Sequence, residues 1–363
     1  MIKNVINYYP RAYVGNGGVT VALWKYAEAY KNKQVNSYVA FDSKLESKQP
    51  LEIKGIKKIK VNHYLFSRFR FPVNFLKNFT KDTVLILHSG YLIYNLVAAY
   101  YAGKRHIKTI LIPHGAYHSN VLKKNTLIKK IFIFFESIIY KKLDFVQAYN
   151  YEDLKHLKKI FEKNKILIIP IPIKVDKKSS KKKIKIGKYF SYIGRYDIHT
   201  KGLDLLIQAY KEVPKRLRIP IILHGRDCKY GTKNDLIKLV KNEKLDNLIK
   251  VRGPIYGKEK EKFLSNSFMG IFLSRNDGFI IGAMEHFAKN KPCLVSKKAT
   301  IWKMIKKNNL GLVTDLKIKT IKNNICLILK DKNKILRKYK TQDFIKKNLS
   351  NEAIKIIFYN NFK

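Results

Sequence analysis

The sequence predicts an α/β fold of two domains, each a parallel sheet flanked by helices. Three observations predict it. Short apolar runs alternate with amphipathic stretches of helix length, the pattern of β-α units. The alternation breaks near the midpoint at a lysine-rich segment with no apolar face, and beyond that segment it starts again. The 363 residues suit two domains, and a 46% hydrophobic content supplies two cores.

In the first half the strand-like runs are Val5-Ile6, Ser37 to Phe41, Thr83 to Leu87, Thr109 to Ile112 and Phe145 to Ala148. Helical spacing covers Val19 to Tyr30, Tyr91 to Ala102, Thr126 to Lys141 and Tyr151 to Phe161. A further run, Ile166 to Ile169, leads into Pro170-Ile171-Pro172, where proline ends regular structure. Lys177-Lys178-Ser179-Ser180-Lys181-Lys182-Lys183 follows, polar and self-repelling in the manner of a linker.

The second half reads as strands Tyr189 to Gly194, Ile219 to His224, Leu248 to Arg252, Met269 to Ser274 and Cys293 to Ser296. Helices Gly202 to Val213, Lys233 to Asn242, Lys258 to Asn266 and Ile281 to Lys289 separate them. The tail is helical, and Ala353 to Tyr359 has apolar spacing suited to packing on another domain. The expected divisions are a first domain over 1–172, a basic linker over 173–187, a second domain over 188–345 and a closing helix over 346–363.

With 75 Lys and Arg against 26 Asp and Glu, the net charge is +49, a field that draws anionic partners. Only eleven of the cations are arginine, and the lysines are spread along the whole chain. Nucleic-acid readers lean on the arginine fork and concentrate charge on one element, so nucleic acid is not the expected partner. Three cysteines without paired spacing indicate neither a disulfide framework nor a zinc site. The opening residues are too short and polar a stretch for a signal peptide, and no apolar run nears the roughly 18 residues of a membrane span. A cytoplasmic protein is expected.

Chemistry is suggested at three places. Gly15-Asn16-Gly17-Gly18 lies between a strand and a helix, where glycine lets a ligand approach backbone amides; a simple turn is the alternative. Arg195 ends a strand and Lys201-Gly202 opens the next helix. Cations at the carboxyl edge of a parallel sheet are placed for a diphosphate, with Arg195 bridging oxygens and Lys201 acting as a point charge. In Ser274-Arg275-Asn276-Asp277-Gly278-Phe279-Ile280-Ile281-Gly282-Ala283-Met284-Glu285, a strand ends and a helix begins, with Asp277 and Glu285 eight residues apart. Such acids accept hydrogen bonds from sugar hydroxyls, and the amides of Phe279 to Ile281 can face a phosphate. Helix capping by Asp277 is the alternative.

In order and spacing these segments resemble the retaining, two-domain GT-B glycosyltransferases of family 4, also called group 1. Tyr192-Ile193-Gly194-Arg195 to Lys201-Gly202-Leu203-Asp204-Leu205-Leu206 is similar to that family's GR and KG-x-D-x-L segment. Asp277 and Glu285 fall where it carries two glutamates, and Val251-Arg252-Gly253-Pro254 resembles the step between. In the first half, Gly17-Gly18-Val19, His88-Ser89-Gly90 and Pro113-His114-Gly115-Ala116-Tyr117 resemble its glycine-rich loop and two histidine segments.

The resemblance implies two Rossmann-like domains facing across a cleft, with a last helix crossing back onto the first domain. It implies that Arg195 and Lys201 hold the donor pyrophosphate and that Glu285 binds ribose. It assigns Asp277 to the donor sugar, with the amides of Phe279, Ile280 and Ile281 beside it. Gly17 and Gly18 face the donor, His114 sits in the cleft, and His88 lies toward the acceptor. The donor is a UDP-, GDP- or TDP-sugar. No metal or other cofactor is implied, because Arg and Lys replace the metal's charge. The family's substitution takes place on the face the phosphate leaves, so configuration is retained, and the departing phosphate itself takes the acceptor hydroxyl's proton. Asp277 in place of Glu and Ile280 in place of Gly depart from the family, marking the corner where donor specificity or activity differs.

Two segments mix aromatics with cations, Tyr64 to Phe79 and Lys129 to Phe135. The first predicts contact with an anionic membrane surface or a lipid-linked acceptor, and the second reads either so or as a core helix with lysine flanks. The expected setting is the inner face of a bacterial cell membrane, in surface polysaccharide synthesis such as capsule or lipopolysaccharide. A sugar-nucleotide epimerase and a non-catalytic homologue of the same fold stay open as alternatives, as does, more remotely, a basic nucleic-acid-binding protein.

Overall fold

The computed structural model describes residues 1–13, 17–44, 53–66, 69–117, 134, 136, 143–161, 165–175 and 187–362, without the side chains of 63–66, 69–71 and 73. The chain forms two compact units, Met1–Pro172 with Asn351–Lys363, and Ile173–Ser350. The lysine-rich run 177–183, the stretch 126–133 and most of the helix expected over 126–141 fall outside the described residues.

The first unit holds strands β1 (Asn4–Tyr8), β2 (Asn36–Asp42), β3 (Ile56–Phe66), β4 (Phe69–Val73), β5 (Thr83–His88), β6 (Lys108–Ile112), β7 (Phe145–Ala148) and β8 (Lys165–Ile168). They form one sheet in the order β4-β3-β2-β1-β5-β6-β7-β8, parallel except for the β3–β4 pair. All six residues of β5 are buried, as a central parallel strand covered on both faces requires. Helices α1 (Gly18–Tyr30), α2 (Ile93–Lys104) and α3 (Tyr151–Lys158) follow β1, β5 and β7.

Part of the segment Tyr64 to Phe79, expected to meet an anionic surface or a lipid-linked acceptor, lies in strands β3 and β4. Its first part is the edge hairpin, and Phe75 and Phe79 pack against the unit's core. Phe75 stacks on Tyr8 at 4.9 Å, and Phe79 meets Tyr38 edge-on at 5.3 Å. The adjacent Lys57 and Lys58 break the period-2 pattern of β3 in the sequence.

The second unit carries β9 (Phe190–Arg195), β10 (Ile221–Arg226), β11 (Ile249–Arg252), β12 (Met269–Phe272), β13 (Cys293–Ser296) and β14 (Gly311–Thr314). This sheet is parallel throughout, in the order β11-β10-β9-β12-β13-β14. Its helices are α4 (Leu203–Lys211), α5 (Lys233–Asn242), α6 (Gly257–Asn266), α7 (Ile281–Ala288), α8 (Trp302–Lys307), α9 (Ile318–Lys330), α10 (Lys332–Lys338) and α11 (Thr341–Asn348). The short edge strand β14 was not foreseen, since Gly-Leu-Val-Thr is too brief to show a period.

One core of Phe190, Tyr192, Phe268, Phe272 and Phe287 with aliphatic neighbours holds the sheet to its helices. Asn290 takes a left-handed φ of 55°, which Asn tolerates better than most side chains. Its Oδ1 accepts from the Thr341 and Gln342 amides, capping α11. The last helix, α12 (Asn351–Asn360), belongs to the first unit and packs on α1, where Phe358 stacks on Tyr30 at 3.8 Å.

Candidate functional site

In the second unit the site begins where β9 ends. Arg195 is the last residue of that strand and is exposed at its carboxyl edge. The turn that follows brings Lys201 to the start of α4 through Gly202. That glycine has φ 65°, and a Cβ there would lie 2.1 Å from the Leu273 carbonyl oxygen. Both the torsion and the close approach demand glycine, which seats Lys201 against the loop after β12.

There Lys201 Nζ donates to Asp277 Oδ2 at 2.5 Å, with both side chains largely buried. Ser274 Oγ donates to the same oxygen at 3.2 Å. The Asp277 carbonyl accepts from the Thr300 amide at 2.9 Å, and the Thr300 hydroxyl donates to the Gly278 carbonyl at 2.6 Å. Asp277 therefore does not cap the following helix. The residue at the helix start is Ile280, with no side-chain capping bond.

Ile280 has φ −79° and 6% exposure. Its side chain belongs to the core, and only its backbone is left toward the loop. The carbonyl of Ile280 accepts from the Ala283 and Met284 amides. The Ile281 and Gly282 amides stand at the open N-terminus of α7, where the helix dipole favours an anion. Phe279 packs against the core rim.

Glu285, one turn into α7, accepts from Lys260 Nζ of α6 at 3.1 Å. Beside it, His286 is fully buried. Its Nδ1 donates to the Gly282 carbonyl at 2.6 Å and its Nε2 accepts from Ser191 Oγ of β9 at 2.6 Å. Burial pushes its pKa down to about 4, so the ring is a neutral strut between helix and sheet.

The loop's other anchor was missed in sequence. Arg275 grips Asp204 of α4 through two bonds, 2.8 and 2.7 Å, and also donates to the His199 carbonyl. Asp204 and Arg275 stand 71 residues apart in the chain. Only the fold makes them neighbours.

In the first unit, Gly17 precedes α1 with φ 106°, a glycine conformation, and Gly18 begins the helix with open space at its Cβ. His88 ends β5, His114 follows β6 and Tyr149 follows β7, on neighbouring strands beside β1. Tyr149 hydroxyl donates to His114 Nδ1, His114 Nε2 donates to His88 Nδ1 at 2.7 Å, and His88 Nε2 donates to Asn7 Oδ1 at 3.1 Å. Burial holds His114 down to about 3. It also lowers His88, with His114 adding to the effect. Both ring nitrogens of His114 are thus occupied, and the side chain expected to face the donor is tied into a neutral chain.

Residues 174–348 match the family model for glycosyl transferases group 1. No curated protein matches the chain. Among solved structures, sucrose-phosphate synthase from Thermosynechococcus elongatus is similar with a TM-score of 0.76 at 15% identity, over 99% of this chain and 98% of that one. A mutant of S. aureus TarM in complex with Fondaparinux, alpha-GlcNAc-glycerol and UDP reaches 0.75 at 13%, over 100% of both. The pneumococcal O-GlcNAc transferase GtfA, in complex with UDP and GlcNAc, gives 0.72 at 14%, over 99% and 98%. The shared fold is GT-B, with two Rossmann-like domains.

Proposed function

We propose that this chain, a glycosyltransferase by its group 1 domain, moves a sugar from a nucleotide-sugar donor held in its second unit to a glycan acceptor. The observation that carries the reading is the convergence on one sheet edge of Arg195, the Lys201–Asp277 pair and the open amides of α7. Arg195, Lys201 and the amides supply the positive charge a diphosphate leaving group needs, and Asp277 and Glu285 accept hydroxyl hydrogens from sugar and ribose. The structures in complex with UDP support a UDP-sugar as the first donor to try.

In this reading the transfer retains configuration and needs no metal. The departing phosphate accepts the acceptor's proton, so no protein nucleophile is required. The acceptor is lipid-linked and the product is a bacterial surface polysaccharide, made at the inner face of the membrane. The charge of +49 supports attraction to an anionic lipid surface.

A thermal-shift screen against UDP-, GDP- and TDP-sugars tests the function. One donor should raise the melting temperature and be consumed with transfer to a glycan. A donor consumed without transfer would support an epimerase instead.

A further inference from the structure

Arg226 ends β10 in direct register with Arg195 at the end of β9. Strand alternation fixes the face they share. Ile193 and Ser191, two and four residues before Arg195 on its side of β9, face α7. Ser191 bonds His286, and the Ile193 carbonyl is what a Cβ on Gly282 would meet at 2.8 Å. His224, two residues before Arg226, packs edge-on against Phe263 of α6 at 4.6 Å. Both arginines therefore leave the sheet on the side covered by α6 and α7, the side that carries Glu285 and Lys260.

Like charges in register on neighbouring strands repel, and an anion lying across them turns the repulsion into a clamp. We propose that Arg226 is a further donor-binding residue, gripping the phosphate nearest the nucleoside while Arg195 takes the phosphate nearest the sugar. The inference rests on the donor site argued above.

The strand order gives the direction. Asp277 follows β12, Arg195 ends β9 and Arg226 ends β10, and these three strands are neighbours in that order. A donor whose sugar meets Asp277 and whose ribose meets Glu285 runs along this edge from β12 toward β10. Its diphosphate lies across the two arginines, and its base lies toward α6.

The test titrates UDP, GDP and TDP, then the monophosphate of the nucleotide that binds most tightly, into the full-length protein by calorimetry. Arg226→Ala should weaken both the diphosphate and the monophosphate about ten-fold or more, the loss of a charge-assisted bond. Arg226→Lys should recover part of that loss. Arg195→Ala should weaken the diphosphate far more than the monophosphate. Melting curves should show Arg226→Ala folded, since the residue stands at a strand end. Nucleotide binding by Arg226→Ala within two-fold of the wild type would overturn this proposal and leave the donor site standing. Failure of the wild type to bind any nucleotide would overturn both.

Discussion

Lys201 Nζ and Asp277 Oδ2 are 2.5 Å apart, a pair formed across 76 residues between the turn that leads into α4 and the loop before α7. It joins the cation assigned to the diphosphate with the acid assigned to the sugar. A donor therefore enters a site whose two ends are already coupled.

Removing one partner of a largely buried pair leaves the other charge uncompensated, at a cost of about 3 kcal/mol. Lys201→Ala should lower the melting temperature of the second unit by several degrees and abolish stabilisation by a donor. Asp277→Asn keeps the shape and frees the lysine. It should bind nucleoside diphosphate at least as well as the wild type while sugar transfer drops about 100-fold, a loss of the size that mispositioning causes. Calorimetry and a transfer assay on the same preparations separate the two effects.

The Arg275–Asp204 fork ties the Ser274–Ile280 loop to α4. Arg275→Lys keeps the charge and loses the fork. The expected result is a rise of several-fold in the donor KM with a melting point lowered by a few degrees. An unchanged KM would show that the loop holds its shape without the clamp.

The buried histidines set an acid limit. His286 titrates near 4 when folded and near 6.5 when unfolded, so the unfolded chain binds more protons between those values. Stability is therefore complete above about pH 7 and falls as pH drops from 6.5 toward 4, by about 3 kcal/mol from this residue. His88 and His114 add the same sign in the first unit. Melting temperatures measured from pH 7.5 down to pH 5 should fall steadily, and a flat profile would contradict the assignment of neutral rings.

Phe358 is fully buried and stacks on Tyr30, whose carbonyl also accepts from Tyr359 at 2.6 Å. Phe358→Ala should cost about 3–5 kcal/mol in the first unit, read as an early unfolding transition in denaturant, while the second unit's transition stays in place.

Much of this was legible from residue order. The parallel strands announced themselves as apolar runs such as Thr83 to Leu87, because a strand covered on both faces has no polar side to show. Lys201 and Gly202 were legible from their place between the end of a strand and the start of a helix. What stayed hidden depends on pairing across the chain. The β3–β4 hairpin is an edge pair rich in lysine, and the two partners of His114 lie 26 and 35 residues away. Ile280 looked like a change in the sugar pocket until its side chain was found in the core. A sequence does not say which way a residue at a helix start points.

The central claim is a donor site at the carboxyl edge of the second sheet, and Arg195 tests it most directly. Calorimetric titration of UDP-, GDP- and TDP-sugars into wild type and Arg195→Ala should show one donor binding the wild type. Its affinity should fall at least ten-fold in the variant. Equal affinity in the two proteins, or no donor bound by the wild type, would contradict it.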